Sequence, residues 1–197
     1  MARQIGVTFD YRCPFARNAH EAVVAAVRAD AVPDVEWQFL AFSLDQAHAE
    51  EGTPPVWDRD PDEWGSGVLA LLYGIAVRDA FSDRFLDVHL GLFAARHDDG
   101  RRINEDQVLR GVVAAAGLDP DAVAEEALSG RPLKTLAVEH ADAVDRLDVF
   151  GVPTFVEGDQ AVFIRFMERG RVDDLRRAVD LLDWTRLNEF KRTQLPR

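Results

Sequence analysis

Apolar residues alternate at the start of the chain, where Ile5, Val7 and Phe9 are separated by Gly6 and Thr8. That is the two-residue period of a short strand, predicted over about residues 4–9. The period then lengthens. Behind Pro14, a residue suited to a first helical position, Phe15, Ala19, Ala22, Val23, Ala26 and Val27 recur mostly at spacings of three and four, so a helix is predicted from near residue 13 to about 29. Pro33 and Asp34 close the connection, and Val35, Trp37 and Phe39 share one face of a second strand ending near Leu40. Residues 4–40 thus have the order and length of one parallel crossover unit.

From Ala41 to about Gly130 the strand signal vanishes. Asp60, Pro61 and Glu63 predict a helix start with an N-cap and a capping-box carboxylate. Asn104 with Gln107, flanked by the staple pair Ile103 and Val108, predicts a second start, with a stop at Gly117. Asp119 and Pro120 open a third helix ending near Gly130, and Phe81, Phe85, Leu86, His89, Leu90 and Phe93 trace a further amphipathic stripe. After Arg131 and Pro132 a helix runs to about Leu147. Strands return at residues 154–156 and 161–164 around the turn Glu157-Gly158-Asp159-Gln160. Val172, Leu175, Ala178, Val179 and Leu182 line a last helix, followed by a tail over residues 184–192. The order predicts an α/β fold in which residues 1–42 and 131–197 build a small mixed sheet under helices, with residues 43–130 inserted as a helical lobe.

Charge and composition narrow the function classes. With 23 Lys plus Arg against 35 Asp plus Glu, the net charge is −12, so the surface repels phosphate backbones and no nucleic-acid partner is expected. No apolar run reaches the ~18 residues of a membrane span, and the first residues lack the apolar segment of a secretory signal. No membrane partner is expected, and the cytoplasm is the expected compartment. The five histidines show no ligand spacing, so no metal site is expected. Whether the chain is a monomer or a homodimer stays open.

The single cysteine, Cys13, excludes an internal disulfide. It stands at the strand–helix junction, where free N–H groups and the positive end of the helix dipole favour a thiolate. Cysteines in such settings titrate at about 3.5 to 7.5 against ~8.5 when free, and Arg12 and Arg17 stand close enough in sequence to add positive charge. The other reading is a small buried hydrophobe. A second feature, Gly151-Val152-Pro153-Thr154-Phe155, puts a proline at the first residue of a strand, where it is tolerated in any case. His20 either faces the same cleft or is a partly exposed helix residue. Asp10 either sets polarity near Cys13 or is a turn residue. Trp57, Trp64, Tyr73, Phe81 and Phe93 either wall an apolar pocket or pack helices together.

The stretch Phe9-Asp10-Tyr11-Arg12-Cys13-Pro14-Phe15-Ala16, the helical block and Gly151-Val152-Pro153-Thr154-Phe155 together resemble the DsbA-type branch of the thioredoxin-fold superfamily. Within it the chain is most similar to the cytoplasmic group of FrnE-like and mycothiol-dependent nitroreductase-type proteins, a likeness that extends to residues 187–193. The resemblance implies a thioredoxin-like sheet with a helical insertion, Cys13 as nucleophile, and a cis-proline at Pro153. Pro14, Phe15, Arg17, Val152 and Pro153 would line the substrate side. Ala16 replaces the resolving cysteine of Cys-x-x-Cys, which implies a monothiol oxidoreductase with no tightly bound cofactor. Its small-molecule thiol or disulfide would be resolved by an external low-molecular-weight thiol, mycothiol or glutathione. Two alternatives are a thiol-dependent transferase or isomerase similar to kappa-class glutathione transferases and 2-hydroxychromene-2-carboxylate isomerases, and a redox-inactive ligand scaffold.

Overall fold

The computed structural model describes residues 2–189 and 191–192. Strand β1 (Arg3–Phe9) is followed by helix α1 (Pro14–Ala29) and strand β2 (Val35–Ala41), which lies parallel to β1 with Ile5 opposite Trp37 and Val7 opposite Phe39. Strand β3 (Thr154–Glu157) pairs antiparallel to the other edge of β1, and β4 (Gln160–Phe163) pairs antiparallel to β3, so the sheet order is β2-β1-β3-β4. The two-residue turn between β3 and β4 places Gly158 at φ +55°, a conformation a glycine adopts without strain. Central position explains β1: residues Ile5 to Phe9 are buried on both faces.

The segment between β2 and β3 is helical: α2 (Leu44–Ala47), α3 (Val68–Ala80), α4 (Phe85–His97), α5 (Asp106–Ala115), α6 (Pro120–Ala127) and α7 (Arg131–Leu147). The final helix, α8 (Val172–Asp183), packs on α1, β3 and β4. Two sequence expectations are corrected here, and one helix is found that no pattern marked. Asp60, Pro61 and Glu63 make only a short 3₁₀ turn without a side-chain cap. Helix α5 starts two residues after Asn104, with Glu105 at the N-cap position and no side-chain cap bond, although the staple residues Ile103 and Val108 are buried. Helix α3 carries no amphipathic stripe because Val68 and every residue from Ala70 to Val77 are buried. A helix buried all round has no polar face to mark its period.

Asp119 does cap α6, accepting a hydrogen bond from the Asp121 N–H. One buried cluster joins Ile5, Val7, Val23, Phe155, Leu175 and Val179 across the sheet, α1 and α8. The other runs from Phe9, Tyr11 and Phe42 into α3 and α4. Helix α3 comes up against Tyr11 because Gly74 has no side chain: a Cβ there would overlap the Tyr11 hydroxyl. The turn after β1 is thereby wedged between sheet and lobe. Among the described residues no helix is long and apolar enough to cross a membrane. Phe190 and Thr193, part of the tail likeness, lie outside the described residues.

Candidate functional site

Cys13 is the N-cap of α1, and Pro14 occupies the first helical position, where its missing N–H removes no helical bond. The Ala16 N–H donates to the Cys13 Sγ at 3.4 Å. The thiol in turn donates to the Val152 carbonyl at 3.3 Å, across 139 residues of sequence. The Val152–Pro153 peptide bond is cis. Its loop is held from two sides. The Thr154 N–H donates to the Thr8 Oγ1 at 2.8 Å, and the Ile164 N–H, just past β4, donates to the Pro153 carbonyl at 3.2 Å. Sulfur and loop are therefore fixed against each other by the central strand and by the last one. Pro14 is exposed, Phe15 half-buried, and Val152 and Pro153 buried.

The electrostatics overturn one expectation. Burial pushes the Cys13 thiol above its ordinary value, more than the Ala16 and Phe15 N–H groups pull it down; the Asp10 charge adds to the rise and the Arg165 charge opposes it. The arginines expected to assist are engaged elsewhere. Arg12 binds Asp45 at 2.5 Å, and Arg17 binds Asp98 at 2.7 Å with Glu21 at 3.8 Å. Arg165, which the sequence reading passed over, supplies the cation instead.

Geometry and sequence converge at this point: a DSBA-like thioredoxin domain profile matches residues 4–180. The chain belongs to the DSBA-like thioredoxin domain family. The family consists generally of thiol–disulfide oxidoreductases. Solved structures with the same fold include a variant of Pseudomonas aeruginosa DsbA (TM-score 0.64, 17% identity, covering 94% of this chain and 88% of that one). Another is the cytosolic disulfide reductase DsbM from Pseudomonas aeruginosa with GSH (TM-score 0.63, 21% identity, 93% and 100%). A third is a thioredoxin-like oxidoreductase from Silicibacter pomeroyi DSS-3 (0.62, 22%, 92% and 87%). A search of curated proteins finds no match.

Against this DSBA-like frame the remaining candidates fall into place. Asp10 is a turn residue: its fully buried carboxylate accepts the Arg12 and Leu44 N–H groups, both at 2.8 Å, and burial lifts its pKa to about 6 against the pull of those bonds. His20 is neither in the cleft nor partly exposed. It is completely buried, with its Nε2 donating to the Thr8 carbonyl at 3.1 Å and its Nδ1 accepting from His89 Nε2 at 3.0 Å. His89 Nδ1 accepts from the Tyr11 hydroxyl at 2.9 Å. Burial lowers both pKa values, that of His20 to about 4, so both imidazoles are neutral, and with one proton each the carbonyl at one end fixes the direction of the bonds. Tyr73 and Phe93 are fully buried, while Trp57, Trp64 and Phe81 pack partly buried on the same core. These aromatics join the lobe together. Among the described residues no cluster of His, Cys, Asp and Glu has the arrangement of a metal site.

Proposed function

We propose that the protein is a monothiol thiol–disulfide oxidoreductase that works in the reducing direction, with a low-molecular-weight thiol of the mycothiol or glutathione kind as cosubstrate and the cytoplasm as its compartment. The observation that carries this is the Cys13 sulfur at the N-terminus of α1, 3.3 Å from the Val152 carbonyl, with a buried Ala16 where a resolving cysteine would stand. The Cys13 thiolate attacks one sulfur of a substrate disulfide. The substrate S–S bond breaks, a Cys13 mixed disulfide forms, and the other half leaves as a thiolate. A second small thiolate then attacks the substrate sulfur of that mixed disulfide, releasing Cys13 and a new small disulfide.

The thiol's environment supports that direction. A strong oxidant of the DsbA kind stabilises its reduced thiolate, whereas burial here disfavours that anion. A thiolate of higher pKa is also the better nucleophile and the poorer leaving group. The Ala16 and Phe15 N–H groups stabilise the anion once it forms. A lone cysteine that cannot form an internal disulfide suits a reducing compartment rather than one that oxidises folding proteins.

Intact-mass measurement tests the reading. Incubated with a small-thiol disulfide, the protein is expected to gain the mass of one thiol at Cys13 and lose it on addition of a second thiol, while Cys13→Ser gains nothing. A wild-type chain that forms no adduct, or forms one that no thiol releases, refutes it.

A further inference from the structure

Arg165 lies just beyond Ile164, the first residue after β4, and the bond from the Ile164 N–H to the Pro153 carbonyl ties that part of the chain to the loop beside Cys13. The guanidinium carbon of Arg165 lies 5.4 Å from the centre of the Phe15 ring and 5.5 Å from that of Phe163. Phe15 is two residues past Cys13, and Phe163 packs on Phe150 at 4.9 Å between ring centres. Phe150 is 70% exposed, an unusual state for a phenylalanine. The ring faces hold the cation by their quadrupoles and keep it at the rim of the site.

Among the described residues the cation has no counter-charge within 4.0 Å. Arg12 and Arg17 near the same turn, and Arg169 four residues on, all bind carboxylates. Exposed Arg165 has no carboxylate within 4.0 Å among the described residues, in a chain with 35 acidic residues. Its charge nevertheless acts on the Cys13 sulfur. The forked N–H donors of a guanidinium match a carboxylate.

We propose that Arg165 selects the sulfur compound that Cys13 engages by binding a carboxylate carried close to the reacting sulfur. This rests on the reading of Cys13 given above. The preferred cosubstrate is then an anionic, carboxylate-bearing thiol of the peptide kind rather than a neutral sugar-linked thiol, and cationic thiols are disfavoured. Phe15, Phe163 and Phe150 cover the aliphatic part of the ligand. In the exchange step nothing else is required: the Cys13 thiolate displaces the ligand's partner sulfur, and the carboxylate stays on Arg165.

Three aliphatic disulfides of similar size separate the possibilities: dithiodipropionate (anionic), hydroxyethyl disulfide (neutral) and cystamine (cationic). The rate of Cys13 adduct formation is followed by intact mass and normalised to the neutral compound, which removes any effect of the substitution on the thiol itself. Arg165→Gln is expected to lower the anionic-to-neutral ratio about fivefold, the scale of one partly exposed charge pair, and to raise the cationic-to-neutral ratio. Arg165→Lys should retain most of the wild-type preference. Ratios that are the same in wild type and Arg165→Gln overturn the selection by Arg165. Failure of the wild-type chain to react with any of the three compounds instead removes the reading of Cys13 on which it rests.

Discussion

Two polar groupings leave the turn after β1 in opposite states of completion. Toward the lobe, the Tyr11 hydroxyl, His89, His20 and the Thr8 carbonyl form a chain in which every ring nitrogen is used and every residue is fully buried. Two residues along, the Cys13 thiol, the Val152 carbonyl and Arg165 make a grouping that is partly open and includes a cation with no carboxylate within 4.0 Å among the described residues. The closed chain has its ring nitrogens paired and its residues sealed from solvent, so it serves shape: it joins β1, α1 and α4 and holds the turn in register. The open grouping keeps unused capacity where a substrate can supply it. Polarity near a reactive residue is therefore a poor guide to chemistry until one asks which groups are already satisfied.

Acid should break the closed side first and most strongly. Burial lowers the pKa of His20 to about 4, that of His89 in the same direction, and that of His140 to about 4. The unfolded chain protonates its histidines near pH 6.5, so their stabilising contribution is complete above that pH and is lost as pH falls toward 4. For His20 alone the loss is on the order of 3 kcal/mol. Asp10 acts the other way. Its raised pKa of about 6 makes the folded state hold a proton between roughly pH 6 and 4, but it is one group against three. Urea unfolding at pH 7 and pH 4.5 should show a clear fall in midpoint at the lower pH; an unchanged or higher midpoint contradicts the buried neutral histidines.

Tyr11→Phe offers a smaller, cleaner cut. It keeps the ring but leaves His89 Nδ1 buried without a donor, at a cost of about 1 to 3 kcal/mol in unfolding free energy. The rate of Cys13 mixed-disulfide formation should stay at the wild-type value. A collapse of that rate would show that the two groupings are one machine. The finest probe is the alkylation of Cys13 against pH. Its midpoint should lie above the ~8.5 of a free thiol, and Asp10→Asn should move it down, because the carboxylate charge raises it. A wild-type midpoint below the free-thiol value would return the site to the thiolate type.

Much of the frame was legible because it depends on local rules. Alternation at Ile5, Val7 and Phe9 marked the central strand, Pro14 marked the start of α1, and the turn at Gly158 marked the hairpin. What stayed hidden depends on distant partners. Arg12 and Arg17 sit near Cys13 in sequence, yet Asp45 and Asp98, 33 and 81 residues away, decide where their charges go. His20 and His89 meet across 69 residues, with no spacing to announce it. Arg165 carries no motif, and only the strand order β1-β3-β4 brings the end of β4 beside the loop at Pro153. The lowered Cys13 pKa expected from the helix dipole failed because burial, a property of the finished core, outweighs the N–H groups that the sequence does reveal.

The separation of 139 positions between Cys13 and Val152 also orders events during synthesis. At about 5 to 20 residues per second, Val152 is added roughly 7 to 28 seconds after Cys13. During that interval the thiol lies on a nascent chain with no carbonyl to receive its proton and little burial to suppress its ionisation, so it titrates as a free cysteine. The newborn protein is thus open to indiscriminate capping by any oxidised small thiol in its surroundings. Completion of the hairpin ends this exposure by bringing the Val152 carbonyl to the sulfur.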